Sequence, residues 1–126
     1  MHIKRFLVWI GLKEKLHTNP QKIPHVSEGQ IWWASLGENI GFEINGKRRP
    51  VLIFKKLSRG FYFVIPLTTQ LHSGTWYVNY KQGGREITAC LSQARSIDYR
   101  RLHRKLGVVD DTDLNRVKEG FRKLYL

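Results

Sequence analysis

The sequence predicts a mostly β domain of the α+β class: a small curled antiparallel sheet, closed or nearly so, followed by a C-terminal helix. Two observations predict it. From Gly29 onward, short aromatic and β-branched runs alternate with turns that contain glycine or proline. Residues 110–126 instead repeat apolar side chains at helical spacing. A length of 126 residues suits one domain with one core.

The first segment reads as an appendage to this domain. Residues 3–16 are predicted to form a short helix, because apolar side chains recur at helical spacing and most lysines fall elsewhere. A linker with two prolines follows. We therefore divide the chain into residues 1–27, helix and linker, and a domain at residues 28–126. The apolar run FLVWIGL is far shorter than the ~20 residues that span a membrane, and no cleavage site follows it.

The strands are expected in a regular order after this linker. They are predicted at residues 30–36, 49–56, 61–67, 75–80 and 86–93, with a short extended segment at 94–99 and, after one helical turn, a short edge strand before residue 110. Glycine-rich residues 37–48 and residues 68–74 are predicted loops. Pro50 stands at the entrance of its strand, where a missing N–H donor is tolerated.

The C-terminal helix is the clearest element. Its predicted apolar face consists of Leu114, Val117, Phe121 and Leu124. Acidic residues open the helix and basic residues close it, which matches the helix dipole.

Charge is the strongest compositional signal. Lys and Arg number 22 against 10 Asp and Glu, giving a net charge of +12 and a pI near 10.2. Such an excess attracts polyanions, which makes nucleic acid the first candidate ligand and an anionic membrane surface the second. A merely soluble basic protein is the remaining alternative. Cys90, the single cysteine, excludes an internal disulfide and fits a reducing cytoplasm. No motif suggests a metal or cofactor site.

Several segments in a fixed order carry a family resemblance. EGQIWWASL, a glycine-rich loop with GFE, RRPVLIF, IPLTTQ, LSQARSIDYRRL and a terminal helix follow one another with sensible spacing. Over roughly residues 28–126 the sequence resembles the MazF/PemK toxins of toxin–antitoxin pairs. The resemblance implies an SH3-like barrel, a homodimer, and a metal-independent mRNA interferase controlled by an antitoxin. Such endoribonucleases let the 2'-hydroxyl of single-stranded RNA attack the adjacent phosphate.

The resemblance assigns catalytic roles to specific side chains. Arg49 matches the arginine before the proline, and its guanidinium suits a phosphate clamp and proton donor. Thr68 matches the first threonine of the TT motif, and its hydroxyl can donate to a phosphate oxygen. Glu43 matches the acid of the glycine-rich loop and would orient Arg49 or act as base. The ordinary alternatives are a solvated arginine, a turn threonine and a solvated loop glutamate.

The chain also departs from the family. Some members use an Arg and an Asp as acid and base on the strand where this chain has Cys90 and Ser92, and some have a histidine in place of Phe42. Neither Cys90 nor Ser92 suits proton transfer, so the general base is in doubt. His72, four residues after Thr68, is the proposed substitute, because imidazole exchanges protons near neutral pH. An inert surface histidine is the alternative.

RNA needs contacts for its backbone and bases. We predict that they come from Lys47, Arg48, Gln70, Gln93 and Arg95. Trp32 and Trp33 are neighbours in a predicted strand and therefore face opposite sides of it. One should enter the core, and the other can stack a base or lie beneath the N-terminal helix. Trp76 and Tyr77 pose the same choice between the core and base stacking.

Two other functions stay open at this stage. One is a toxin without catalysis, such as a gyrase poison, and the other is an RNA-binding protein that has lost its activity. Arg49 and Thr68 favour the ribonuclease, since a gyrase poison has no use for a phosphate clamp. Cys90 and Ser92 keep the binding protein in consideration.

Overall fold

A computed structural model of the protein describes residues 23–36 and 48–126. They form the strands β1 (Gln30–Ser35), β2 (Arg48–Ser58), β3 (Phe61–Thr68), β4 (Tyr77–Gln82), β5 (Arg85–Cys90), β6 (Arg95–Asp98) and β7 (Leu102–Val108), and the helix α1 (Asp111–Tyr125). Single 3-10 turns occupy Leu91–Gln93 and Tyr99–Arg101. The helix predicted at 3–16 and nearly all of the loop predicted at 37–48 lie outside the described residues. Within them, no helix is both long and apolar enough to cross a membrane.

All strand pairs are antiparallel and follow the order β4-β5-β3-β2-β1-β7, with β6 paired to β3. β3 pairs with β6 through Phe61–Val64 and with β5 through Leu67 and Thr68. β3 therefore pairs with different strands along its length, and the sheet bends where its partner changes from β6 to β5. The mostly β prediction with a C-terminal helix is confirmed.

The predicted closure into a barrel is wrong for the described strands. β4 and β7 are the two ends of the pairing path, and no backbone ladder joins them among these residues. β4 turns back into β5 at Gly83 and Gly84, and at this turn the last side chain of β4 contacts β7, where Gln82 Nε2 donates to Val108 O at 3.0 Å.

Several element boundaries differ from the sequence prediction. β4 begins at Tyr77, two residues later than expected, and β5 ends at Cys90, where the 3-10 turn Leu91–Gln93 takes over. The helical turn expected after residue 99 is the 3-10 turn Tyr99–Arg101, and the short edge strand is the seven-residue β7.

The core has two parts, one on each face of the sheet. The part beneath α1 includes Trp33, Leu67, Ala89 and Leu91, and the part on the opposite face includes Trp32, Val51 and Val64. One of Trp32 and Trp33 was expected outside the core. Instead both are buried, at 3% and 6% exposure, because β1 is covered on both faces, and neither ring is available to a base.

Helix α1 packs on the sheet as its sequence predicts. Leu114 and Val117 are buried, and Phe121 and Leu124 pack partly buried against the same cluster. Acidic side chains occupy the first turn and basic ones the last. The hydroxyl of Tyr125 donates to Leu91 O at 2.9 Å, which fastens the end of the helix to the 3-10 turn.

Candidate functional site

A row of polar side chains crosses the face of the sheet that lies opposite α1. Thr68 on β3 stands directly opposite Thr88 on β5, and Thr88 stands opposite Asn79 on β4. Directly opposed residues of antiparallel strands place their side chains on the same face. Thr88 donates from Oγ1 to Asn79 Oδ1, in agreement with this register. We call this surface the polar face and include the next pair of the same ladder, Tyr77 and Cys90.

Arg49 joins the polar face at the same end of the sheet. The ladder between β2 and β3 begins with the pair Val51 and Pro66, and Arg49 and Thr68 each lie two residues beyond that pair, at the same end of the two strands. Residues two apart in a strand share a face. Arg49 is half-buried and Thr68 is 9% exposed, so both are placed by packed strands rather than by loops. The predicted catalytic pair therefore lies on one face at one end of the sheet.

The surroundings of the Arg49 guanidinium are neutral. Its Nη1 donates to Gln93 Oε1 at 3.2 Å, and its charge acts on the thiol of Cys90. Burial raises the pKa of the Cys90 thiol, and the charge of Arg49 opposes that shift. No carboxylate pairs with Arg49 among the described residues. Within the part of the chain that the structure describes, its positive charge is thus oriented but uncompensated, as an anion-binding group requires.

The hydroxyl of Thr68 is oriented by its own turn. The backbone N–H of Gln70 donates to Thr68 Oγ1 at 3.2 Å, so one acceptor site of the oxygen is occupied. A threonine hydroxyl has one proton to donate and two acceptor sites. The arrangement leaves the Thr68 proton available to a phosphate oxygen beside Arg49. The side chain of Gln70 is exposed next to it.

His72 is exposed but fixed in place on the polar face. Its ring stacks on the ring of Tyr77, with 4.7 Å between centroids and 15° between planes. Its carbonyl oxygen accepts from Asn79 Nδ2 at 3.0 Å, and Asn79 is itself bonded to the fully buried Thr88. The loop after Thr68 is thereby tied to the sheet, and the His72 ring has a defined orientation.

Basic side chains gather where β1 ends. Arg48 is exposed and pairs across the ladder with Ser35. Arg95 Nη1 donates to Leu36 O at 2.8 Å, and Arg101 Nη1 donates to Ser35 O at 3.3 Å. His103 Nε2 lies 2.6 Å from Ser35 Oγ. Arg95, predicted to contact RNA, therefore holds backbone at this point, while Arg48 faces outward beside Arg49.

The structure brings most of the predicted site together. Arg49, Thr68, Gln70, His72 and Gln93 all lie at or next to the polar face. Glu43 and Lys47 lie outside the described residues, so their predicted roles stay predictions. The part of the chain that the structure describes contains no group of three His, Cys, Asp or Glu side chains able to hold a metal ion.

Sequence reasoning gave no role to two members of the polar face, Thr88 and Asn79. Cys90 was considered only as a residue unsuited to proton transfer, and Tyr77 only as a core residue or a base-stacking one. Alternation along β5 offered one signal, since Thr88 and Cys90 are two residues apart and share a face. The proximity of Cys90 to Arg49 had no such signal. The two residues are 41 positions apart in the sequence, and their strands are connected only through β3.

Comparison with known proteins identifies relatives of this arrangement. The profile of a family described as PemK-like, MazF-like toxin of type II toxin–antitoxin system matches residues 27–125. A search of curated proteins found no match.

Solved structures share the fold at low sequence identity. MazF (Form-I) from Deinococcus radiodurans is 22% identical with a TM-score of 0.64, covering 82% of this chain and 97% of that one. An endoribonuclease in complex with its cognate antitoxin, from Mycobacterial species, is 16% identical with a TM-score of 0.62, covering 79% and 93%. The Mycobacterium tuberculosis toxin MazF-mt6 is 18% identical with a TM-score of 0.61, covering 76% and 95%.

Proposed function

Since the chain belongs to the PemK-like, MazF-like toxin family of type II toxin–antitoxin systems, we propose that it is an endoribonuclease toxin that cleaves single-stranded RNA without a metal ion. The observation that carries the proposal is the placement of Arg49. Arg49 stands at the same strand end and on the same face as Thr68, its guanidinium is oriented by Gln93, and it has no carboxylate partner among the described residues.

A phosphate diester fits this pair of groups. The guanidinium donates to two oxygens of a phosphate at once, and the Thr68 hydroxyl supplies a further donor from the neighbouring strand. Both donors stand on packed strands, so little reorganisation is needed when charge develops on the phosphate. The net charge of +12 draws an RNA strand to the surface, and the exposed Arg48, at the end of β2, can contact a phosphate where the RNA passes that strand end.

The proposed reaction is an internal transfer. The 2'-oxygen attacks the adjacent phosphorus, a base takes the 2'-hydroxyl proton, and the bond from phosphorus to the 5'-oxygen breaks. An acid returns a proton to that 5'-oxygen. The products are a 2',3'-cyclic phosphate and a free 5'-hydroxyl, and no water or metal enters the balance. Arg49 stabilises the pentacoordinate phosphate and, in this proposal, also donates the proton.

The proton acceptor is the least defined part of the proposal. Glu43 is the first candidate and lies outside the described residues. His72 is the second, and its position on the polar face is compatible with access to the phosphate. The neutral Cys90 and the exposed Ser92 are no substitutes for the acid of some relatives.

The proposal extends to partners and organisation. A cognate antitoxin is expected, and one of the structural neighbours is an endoribonuclease bound to its own. We propose a homodimer whose two polar faces share one RNA strand, acting in the cytoplasm where its substrate lies. The toxin domain is proposed to be residues 28–126, with residues 1–27 as an appendage.

Cleavage of a long single-stranded RNA in EDTA tests the function directly. The wild-type protein should cut it and leave 2',3'-cyclic phosphate ends. Arg49→Ala should lower the rate by about 10²–10³-fold or more, the cost of removing one transition-state donor. Arg59→Ala is the matched control, because Arg59 is exposed just beyond the opposite end of β2.

Two outcomes would overturn the proposal. A wild-type protein that binds RNA without cutting it would support the non-catalytic alternative. Equal loss in Arg49→Ala and Arg59→Ala would show that only overall charge matters and would remove Arg49 from the mechanism.

A further inference from the structure

We infer that the stacked rings of His72 and Tyr77 form a platform for one nucleobase, next to the phosphate that Arg49 holds. The inference rests on the proposed function and assigns His72 to substrate recognition rather than to proton transfer. It starts from the one aromatic stack on the polar face among the described residues.

The first step concerns how firmly an exposed residue is held. The His72 ring lies nearly parallel to the Tyr77 ring, and its backbone carbonyl is bonded to Asn79. Asn79 in turn is bonded to Thr88, which is fully buried. A flexible side chain would lose conformational entropy on stacking with a ligand, and this one has already lost it. The loop residue is therefore preorganised for a flat ligand.

The second step concerns position. Tyr77 pairs across the ladder with Cys90, which lies on the same face as Thr88 two residues earlier in β5. The Cβ atoms of directly opposed strand residues are about 5 Å apart. Thr88 stands opposite Thr68 on β3, and the charge of Arg49 on β2 acts on the Cys90 thiol, so the aromatic stack lies on the same face as the predicted phosphate-binding pair. A nucleotide whose phosphate binds Arg49 can place a base of its own or of its neighbour on the stack.

The third step concerns chemistry. Each nucleobase has a π-face, and single-stranded RNA is bound by stacking unpaired bases on aromatic side chains, histidine included. Stacking uses the face of the imidazole, whereas proton transfer requires a ring nitrogen within hydrogen-bond reach of the 2'-hydroxyl. In the observed arrangement Tyr77 fixes the plane of the His72 ring and leaves the residue exposed.

The experiment compares ring shape with proton chemistry. Cleavage sites are mapped first on long RNA, and a short oligonucleotide that spans one site is then used for kinetics. His72→Ala should raise KM by about 5- to 100-fold, the usual effect of losing one base–aromatic stack, with kcat nearly unchanged. His72→Phe keeps a flat ring without a titratable nitrogen and should restore KM to within about threefold of wild type. His25→Ala, at an exposed histidine before β1, is the control and should match wild type.

A second arm identifies the stacked base. Abasic nucleotides are placed in turn at each position near the cleavage site, with wild-type protein and with His72→Ala. At one position the two losses should be non-additive, because the same contact is removed twice. Full additivity at each position would overturn the inference.

Other outcomes separate the inference from the function on which it rests. If His72→Phe loses kcat as severely as His72→Ala and loses the rise of rate with pH, His72 is the general base and the platform is refuted while the ribonuclease stands. If His72→Ala cleaves with wild-type KM, the platform is refuted in the same way. If the wild-type protein cuts no RNA, both proposals fall together.

Discussion

Charge balance around one side chain decides what the polar face can do. Among the described residues Arg49 is oriented by the neutral amide of Gln93 and lies near the neutral thiol of Cys90, and both leave its charge available. A carboxylate in either place would compensate the guanidinium and compete with phosphate. Neutral groups at Gln93 and Cys90 therefore keep Arg49 available as an anion clamp.

Replacing Gln93 by Glu tests this balance. The carboxylate should accept from Arg49 in place of the amide oxygen, and cleavage should fall roughly 10- to 100-fold in kcat/KM, less than the ~10²–10³ cost of removing the donor itself. Gln93→Ala should lose less, because the charge remains uncompensated. Asn115→Asp adds the same charge on the exposed side of α1 and should leave kcat/KM unchanged. Equal rates for Gln93→Glu and Gln93→Ala would contradict the argument.

Tyr80 is a buried residue whose hydroxyl has no hydrogen-bond partner among the described residues. Burial, and secondarily the charge of Asp113, raises the pKa of Tyr80 above its ordinary value of 10.0. The folded protein therefore holds this proton more tightly than the unfolded chain does. The contribution of Tyr80 to the free energy of unfolding is therefore fully present below about pH 10 and is lost as the pH rises beyond that value.

Tyr80→Phe should relieve both effects. At pH 7 the free energy of unfolding should be unchanged or higher by about 1 kcal/mol, since an unsatisfied buried hydroxyl is removed. Urea melts at rising alkaline pH should show a smaller loss of stability than in the wild type. Tyr125→Phe is the contrast, because it removes a hydroxyl that donates to Leu91 O and should cost about 0.5–1.5 kcal/mol. A Tyr80→Phe protein that is less stable at pH 7 would show that the hydroxyl has a partner.

Among the elements, helix α1 approaches the sheet closely at Gly120. A Cβ built there would lie 2.7 Å from Val78 Cγ2 on β4 and 3.3 Å from Leu91 Cδ1. The first distance is shorter than side-chain packing tolerates, and a β-branched valine in a strand has little freedom to move aside. The glycine thus sets the distance between helix and sheet, which in turn keeps the end of α1 bonded to the 3-10 turn at Leu91.

Gly120→Ala should destabilise the protein despite its better helix propensity. The propensity gain is about 1 kcal/mol, whereas overpacking in a filled core costs about 1–3 kcal/mol. A net loss of about 1 kcal/mol in the free energy of unfolding is expected by denaturant titration. Val78→Ala, combined with Gly120→Ala, should recover part of it by making room. A stabilised Gly120→Ala protein would mean that α1 can shift outward at no cost.

Local pattern and tertiary pairing explain which elements were predictable. Periodicity in the sequence predicted α1 and the strands that contain Val51, Val64 and Ile87. The helix has a single buried face, and the strands have continuous apolar runs. Trp32 and Trp33 were misassigned, since burial of β1 on both faces depends on strands far away in the chain. The openness of the path between β4 and β7 is likewise a property of pairing, which alternation within a strand does not encode.

The candidate site likewise contains residues that the sequence predicted and contacts that it did not. Arg49 and Thr68 were predicted from motif positions, and the register confirms only that they lie at the same end of the two strands. The neutral partners of Arg49 and the anchoring of His72 by Asn79 were not predictable, because they join residues through a third strand or through a loop carbonyl. Sequence patterns thus locate functional side chains along the chain but not the neutral groups that orient them.

The whole molecule combines a strong positive field with a small folded unit. A charge of +12 on 126 residues favours fast encounter with RNA, and the salt dependence of binding should report the number of phosphates contacted.

The folded unit has an N-terminal boundary that the sequence analysis predicted to lie after residue 27. In the structure Val26 is 4% exposed and belongs to the core on the polar-face side. Ile23 also reaches the hairpin turn between β2 and β3, near Gly60.

Two truncations locate this boundary. A protein that begins at residue 23 keeps Val26, and one that begins at residue 28 loses it together with the contact of Ile23. Burying a valine contributes about 1.5–3 kcal/mol, so the shorter protein should be less stable than the longer one by at least that amount in urea melts. Val26→Ala in the full chain is the matched variant and should lose about 1–2 kcal/mol, because only part of the side chain is removed. If the two truncated proteins unfold at the same denaturant concentration, Val26 contributes nothing to the fold and the boundary after residue 27 is correct. If the shorter protein is the less stable, the folded unit begins by Ile23, and residues 23–27 belong to the toxin domain rather than to its appendage.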